Sequence, residues 1–232
     1  MSARLDTARV FERIFEIYRD QFTLLVPAAL VLFLPVAILV GILYASDAGI
    51  LGGLLATAVS VLATFWFQAA VVEAARDILD GRRDYTVASL YRSVVPILVP
   101  VVIAGVLVTL ITVVGVALFL VPGLLAMTYF ALVAPIIVID RLGVVDSLRR
   151  SIELVRGTAW QVFGVIVVLF LLDFVANLVL RALANDADSF ALYALAALVV
   201  SVLVAPLRAL AASVMFFELK ARHGEPVLGT GA

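Results

Sequence analysis

The chain has 232 residues, of which 65% are hydrophobic and only 14% charged. A soluble domain carries about 45–50% apolar and about 25% charged residues, so the departure points to a membrane protein. A net charge of −1, no cysteine and a single histidine (His223) speak against nucleic-acid binding, disulfides, thiolate chemistry and a histidine-based metal site or triad; no cofactor is expected.

Some twenty mixed residues precede the first apolar run, which is of full spanning length and therefore not a cleaved signal peptide. Within them Phe11, Ile14, Phe15, Tyr18 and Phe22 fall on one helical face, with Arg9, Glu12, Arg13, Glu16 and Arg19 opposite. This predicts an amphipathic interfacial helix over 7–21. Apolar runs follow at Phe22–Ala45, Ile50–Val72, Val94–Ile139, Trp160–Leu180 and Phe190–Phe217. A span needs about 20 residues, and Val94–Ile139 would reach about 69 Å as one helix. It must fold back, with a tip in 115–123 near Gly115 or Pro122-Gly123. The expected architecture is all-α: one integral membrane domain over 1–232. Its six transmembrane helices, at about 22–45, 50–72, 94–120, 124–139, 160–180 and 190–217, form three hairpins.

Basic residues orient the spans. Fifteen of sixteen Lys and Arg fall in the N-terminal segment, the second-to-third and fourth-to-fifth connections and the C-terminal end; only Arg181 falls opposite. The positive-inside rule then places both termini in the cytoplasm, in a bacterial inner (plasma) membrane.

In "DSLRRSIELVRG" (146–157), seven of twelve residues carry a charge or a hydroxyl, between two apolar runs. Val145, Leu148, Ile152 and Val155 make an apolar stripe, and Asp146–Arg150 and Arg149–Glu153 are i,i+4 pairs. The segment 144–156 is expected to lie in the cytoplasmic interface, stripe toward acyl chains and Arg149, Arg150 and Arg156 toward lipid phosphates. Trp160 suits an interfacial anchor. "SLYRS" (89–93) echoes "SLRRS" (147–151), which suggests a threefold repeat of interfacial helix plus hairpin.

These motifs carry a resemblance. "LVPGLLAMTYFALVAPIIVIDRLGVVDSLRRSIELVRGTAW" (120–160) resembles the membrane domain of glycerophosphoryl diester phosphodiesterases and of related uncharacterised six-helix bacterial membrane proteins. The shared features are Pro122-Gly123, Pro135, Asp140, Ser147-Leu148 with Ser151, and Trp160. "ILDGRRDYTVASLYRS" (78–93) and "APLRALAASVMFFELKARHGEP" (205–226) are similar to the family's second-span loop and closing segment. The enzymes add a soluble metal-dependent barrel, for which these 232 residues leave no room. The resemblance thus implies a membrane module without the phosphodiesterase activity.

Asp173 stands alone inside the fifth span, with Asn177 and Arg181 one and two turns outward. An acid at bilayer depth faces the bundle interior or water. It marks either a solute or proton path or an interhelical hydrogen-bond site. Arg208, after Pro206, is expected to snorkel to inner headgroups and, by depth, not to meet Asp173. Glu73 and Asp77 are expected to be solvated. Two functional readings follow. One is a non-enzymatic membrane protein that organises or regulates membrane components or envelope lipids, with lipids and a membrane protein or second copy as partners. The other is a small transporter or flippase-like carrier using Asp173 and Asn177. An open cavity at Asp173 separates the second from the first.

Overall fold

The computed structural model describes residues 6–46, 48–81, 84–184 and 190–225, and every element in it is a helix. Arg4, Arg82, Arg83, the 185–189 connection and the side chain of Arg181 lie outside the described residues. The chain runs through α1 (Thr7–Asp20), α2 (Phe22–Ala45), α3 (Gly49–Leu79), α4 (Val87–Val94), α5 (Leu98–Leu118), α6 (Leu120–Tyr129), α7 (Val133–Pro135), α8 (Val144–Val155), α9 (Ala159–Ala184) and α10 (Phe190–Arg222). Six stretches are long and apolar enough to cross a membrane: Phe22–Leu43, Gly49–Leu79, Val87–Leu118, Leu120–Asp140, Ala159–Leu180 and Leu195–Arg222. The protein is a multi-pass membrane protein.

The short polar helices begin where their caps dictate. The Asp6 carboxylate accepts from the N–H groups of Ala8 (3.1 Å) and Arg9 (3.3 Å) to start α1. Thr86 and Ser89 form a reciprocal capping box at α4, each side chain accepting from the other's backbone N–H. α5 and α6 meet at the single extended residue Phe119 and cross tightly. A methyl on Gly115 would lie 2.8 Å from the Gly123 nitrogen, and one on Gly123 would lie 2.7 Å from the Val116 nitrogen. Only glycine permits that approach.

Burial concentrates at the end of the bundle that carries α1, α4 and α8. There α3 is buried without interruption over 69–75, and nearly so is α10 over 204–217. Both are apolar around nearly their whole circumference there, as central helices must be. At the opposite end the flanks of α2, α3, α5, α9 and α10 leave large apolar side chains exposed, among them Leu54, Val113, Phe174 and Leu195, a surface suited to acyl chains.

The fourth span departs from the expected continuous helix over 124–139. It breaks at Phe130–Leu132, resumes briefly as α7, then widens into a π-helical turn at Ile136–Asp140. Pro135 supplies the cause: its ring displaces the carbonyl four residues back, at Ala131, inside the break. The left-handed Arg141 (φ 55°) ends the turn. The backbone groups freed by the break are met from α8. The Ser151 hydroxyl donates to Tyr129 O (2.6 Å) and accepts from Leu132 N–H (3.3 Å).

That contact corrects the expected orientation of α8. Its buried edge is Ser147, Ser151, Leu154 and Val155, facing protein. Of the predicted stripe, Val145 is exposed, Leu148 and Ile152 are half-buried, and only Val155 is buried. The ion pair on α8 is Arg150–Glu153 at 3.2 Å, rather than either predicted i,i+4 pair. The helix docks by its small residues because they let it approach the break in its neighbour.

Candidate functional site

Of the open clefts between the spans, two share a charged side chain. One, of about 650 Å³, is walled by α2, α3 and α10, with Phe33, Ala37, Phe67 and Leu198 as apolar lining and Ser60, Thr64 and Ser201 as polar lining. The other, of about 420 Å³, is walled by α3, α5, α6, α9 and α10, with Val108, Met127, Phe130 and Leu169 among its apolar groups. Gln68 of α3 and Arg208 of α10 line both clefts, so the two meet at these side chains. Asp173 of α9 lines the second, and its Oδ1 stands 3.7 Å from Arg208 Nη1.

The pairing of Arg208 with Asp173 overturns the depth expectation. Asp173 is thirteen residues beyond Trp160, and Arg208 is fourteen residues before Arg222, so each lies about 20 Å along its helix from the charged end. The sixth span continues past Phe217 to Arg222, which places Arg208 in its interior. Both side chains remain partly open, at 51% for Arg208 and 32% for Asp173. At 3.7 Å the pair is an ion pair without a hydrogen bond. The guanidinium has five N–H donors and the carboxylate about four acceptor sites. Both side chains line the second cleft. Thr109 and Thr112 of α5 add hydroxyls to the smaller cleft, Thr109 bonding Gly105 O at 2.8 Å.

Of the other predicted partners of Asp173, Arg181 has its side chain outside the described residues. Asn177 donates to the Asp173 backbone carbonyl (2.8 Å), an intrahelical bond that leaves the carboxylate untouched. Gln68 is not among the expected site residues, although a lone amide within "TFWFQAAVV" (64–72) is the same kind of signal as Asp173. Among the described residues no three His, Cys, Asp or Glu side chains gather where a metal ion could sit.

The charged end holds further polar contacts. Lys220 is only 6% exposed, and its Nζ donates to Asp140 Oδ1 at 2.6 Å, tying α10 to the end of the fourth span. Glu73 is 7% exposed rather than solvated. It accepts from the Tyr85 hydroxyl (3.2 Å) and faces Arg76 at 3.8 Å, while its second oxygen is buried without a partner among the described residues. Burial, reinforced by the Glu73 carboxylate, pushes the Tyr85 hydroxyl above its ordinary range, so it stays a donor. Asp77 accepts from the Asp84 backbone N–H at 3.2 Å.

Of the predicted headgroup contacts, Arg149 and Arg156 are exposed. Arg150 is engaged by Glu153 and by a short contact to Glu225, so it is an internal strut rather than an open contact. The hydrogen bond to Arg150 holds the Glu225 carboxyl below the usual carboxylate range. Trp160 is 80% exposed and stacks on Phe163.

A family model described as "Domain of unknown function (DUF7847)" matches residues 85–219, more than half of the chain. The match takes in α4 to α9 whole and nearly all of α10, with Asp173 and Arg208, and leaves out the α3 that supplies Gln68. No curated protein and no solved structure matches.

Proposed function

The chain belongs to this family of unknown function, and from its geometry we propose a small, non-enzymatic carrier or flippase-like protein that takes an amphiphile between its spans. The observation that carries the reading is the Arg208–Asp173 pair, partly open, where two largely apolar clefts meet in the interior of the spans. Charges within a span are costly, and where they face a cavity they mark ligand or ion paths. Apolar walls converging on a few polar groups are the usual form of a small-molecule site. Arg208 stands beside Asp173, and Gln68 lines the same cleft.

The distribution of basic residues supports an orientation with both termini in the cytoplasm, in a bacterial inner membrane. The clefts then open toward the outer half of the bilayer above a closed cytoplasmic end. The likeness of 120–160 to phosphodiesterase membrane domains is in keeping with a role beside lipids. A second reading, organising or regulating membrane components from the cytoplasmic face, draws on the exposed Arg149 and Arg156 of α8.

The test is transbilayer movement of a chain-labelled ethanolamine phospholipid in vesicles containing the full-length protein, read by bleaching with an impermeant reductant. The expected result is that the protein exposes label from both leaflets and that Arg208→Gln loses this while retaining its melting temperature. No movement with the unmodified protein, or equal movement with Arg208→Gln, would overturn the carrier reading.

A further inference from the structure

We propose that the ligand is a two-chain zwitterionic phospholipid with a protonated primary amine, its phosphate on Arg208, its ammonium on Asp173 and its chains divided between the two clefts. The inference rests on the carrier reading and names its substrate class.

The first argument is the fork. Gln68 and Arg208 line both clefts, and each cleft alone is within the size range of small-ligand pockets, about 300–1,000 Å³. A compact solute or a single chain needs only one of them. A head at the junction with a chain on either side uses both.

The second argument is charge. Among the described residues, Arg208 and Asp173 are the charged ones lining these clefts, and their charges sum to zero. A head with net negative charge would set an uncompensated anion beside the Asp173 carboxylate, away from bulk water, where lone charges are most costly. A zwitterion keeps the sum at zero and reverses the local order of charge, anion to Arg208 and cation to Asp173.

The third argument is hydrogen bonding. The pair stands 3.7 Å apart without a hydrogen bond, so inserting the head trades one loose contact for two charge-assisted ones. The guanidinium fork matches phosphate oxygens. A primary ammonium has N–H donors for the carboxylate, whereas a trimethylated amine carries the charge and no donor. The Gln68 amide is placed to meet a further oxygen of the head or its ester linkage.

The experiment titrates the detergent-purified full-length protein with ethanolamine-, choline- and glycerol-headed phospholipids of identical chains, reading one-to-one complexes by native mass spectrometry. The ethanolamine lipid is expected to bind about tenfold more tightly than the other two, the worth of one charge-assisted hydrogen bond. Asp173→Asn keeps the shape and removes the charge. It is expected to reverse the ranking, weakening the ethanolamine lipid and strengthening the anionic glycerol-headed one. A role confined to helix packing would not reverse it. Equal binding of the three lipids, an unchanged ranking in Asp173→Asn, or full displacement by inorganic phosphate would each overturn the inference. If Asp173→Asn does not fold, the ranking on the unmodified protein decides alone. Saturable one-to-one binding without headgroup preference would sink the zwitterion and leave the carrier reading standing; absence of both binding and lipid movement would sink both.

Discussion

Ser151→Ala tests the stitching of the broken fourth span. Leu132 is fully buried, and its N–H is met by the Ser151 hydroxyl, which also donates to Tyr129 O. Removing the hydroxyl leaves a buried donor unsatisfied, which costs about 1–3 kcal/mol in soluble proteins. Polar contacts between membrane helices average about 0.6 kcal/mol and reach about 1.7, which draws the expectation to about 1–2 kcal/mol. For a chain of this length that is a fall in melting temperature of about 2–8 °C. Ser147→Ala is the control. Ser147 is equally buried, but its hydroxyl returns to the Gly143 carbonyl of its own helix (2.8 Å), which already accepts the Ser147 N–H (2.9 Å). Its loss should stay within about 0.5 kcal/mol. Tryptophan fluorescence in detergent, from Trp66 and Trp160, follows both variants. Equal effects, or a larger one for Ser147→Ala, would mean that α8 does not complete the hydrogen bonding of the break.

Lys220→Met leaves Asp140 mostly buried without its cation and should cost about 3 kcal/mol; adding Asp140→Asn should recover most of the loss in thermal melts. Gly123→Ala forces a methyl against the backbone of α5 and should cost about 1–3 kcal/mol, whereas Gly41→Ala, which points into open space, should be neutral by the same measurement. The Glu225 carboxyl is held low in the folded protein by Arg150, so its contribution is present above the ordinary glutamate range and is lost as pH falls through the lowered value. Acid titration of the melting temperature should show that loss, of at most about 1 kcal/mol for so exposed a pair, and Glu225→Gln should remove it.

Apolar runs too long for a loop and about long enough for a bilayer are a one-dimensional signal, which is why six spans were legible without coordinates. Pairing is a three-dimensional quantity. The registration of α9 against α10 depends on where each helix ends, and ending the sixth span at Phe217 moved Arg208 away from Asp173 in the reckoning. Glu73 looked solvated because Arg76 and Asp77 are close in sequence, but its neighbours in space include Tyr85, and only tertiary packing buries it. The α8 pattern misled for another reason. Hydrophobic periodicity assigns faces by apolarity, while this helix docks through serines that are small enough to approach a broken neighbour and polar enough to satisfy it. "SLYRS" and "SLRRS" look alike, yet Ser93 bonds Leu90 O of its own helix, while Ser151, at the matching position, completes a different one.

The Lys220–Asp140 contact joins residues 80 positions apart. At a synthesis rate of about 5–20 residues per second, Asp140 leaves the ribosome about 4–16 s before its cation exists. During that interval the fourth span cannot sink its last turn into the bilayer, because an unpaired carboxylate there is held at the water boundary. The break at Phe130–Leu132 waits a shorter time, for Ser151. The order of synthesis therefore imposes an order of assembly: the α6 hairpin enters first, α8 then closes over the break, and the last turns of α10 lock the fourth span in place. A ribosome stalled before residue 220 would hold a chain with its spans inserted and its charged end still unsealed.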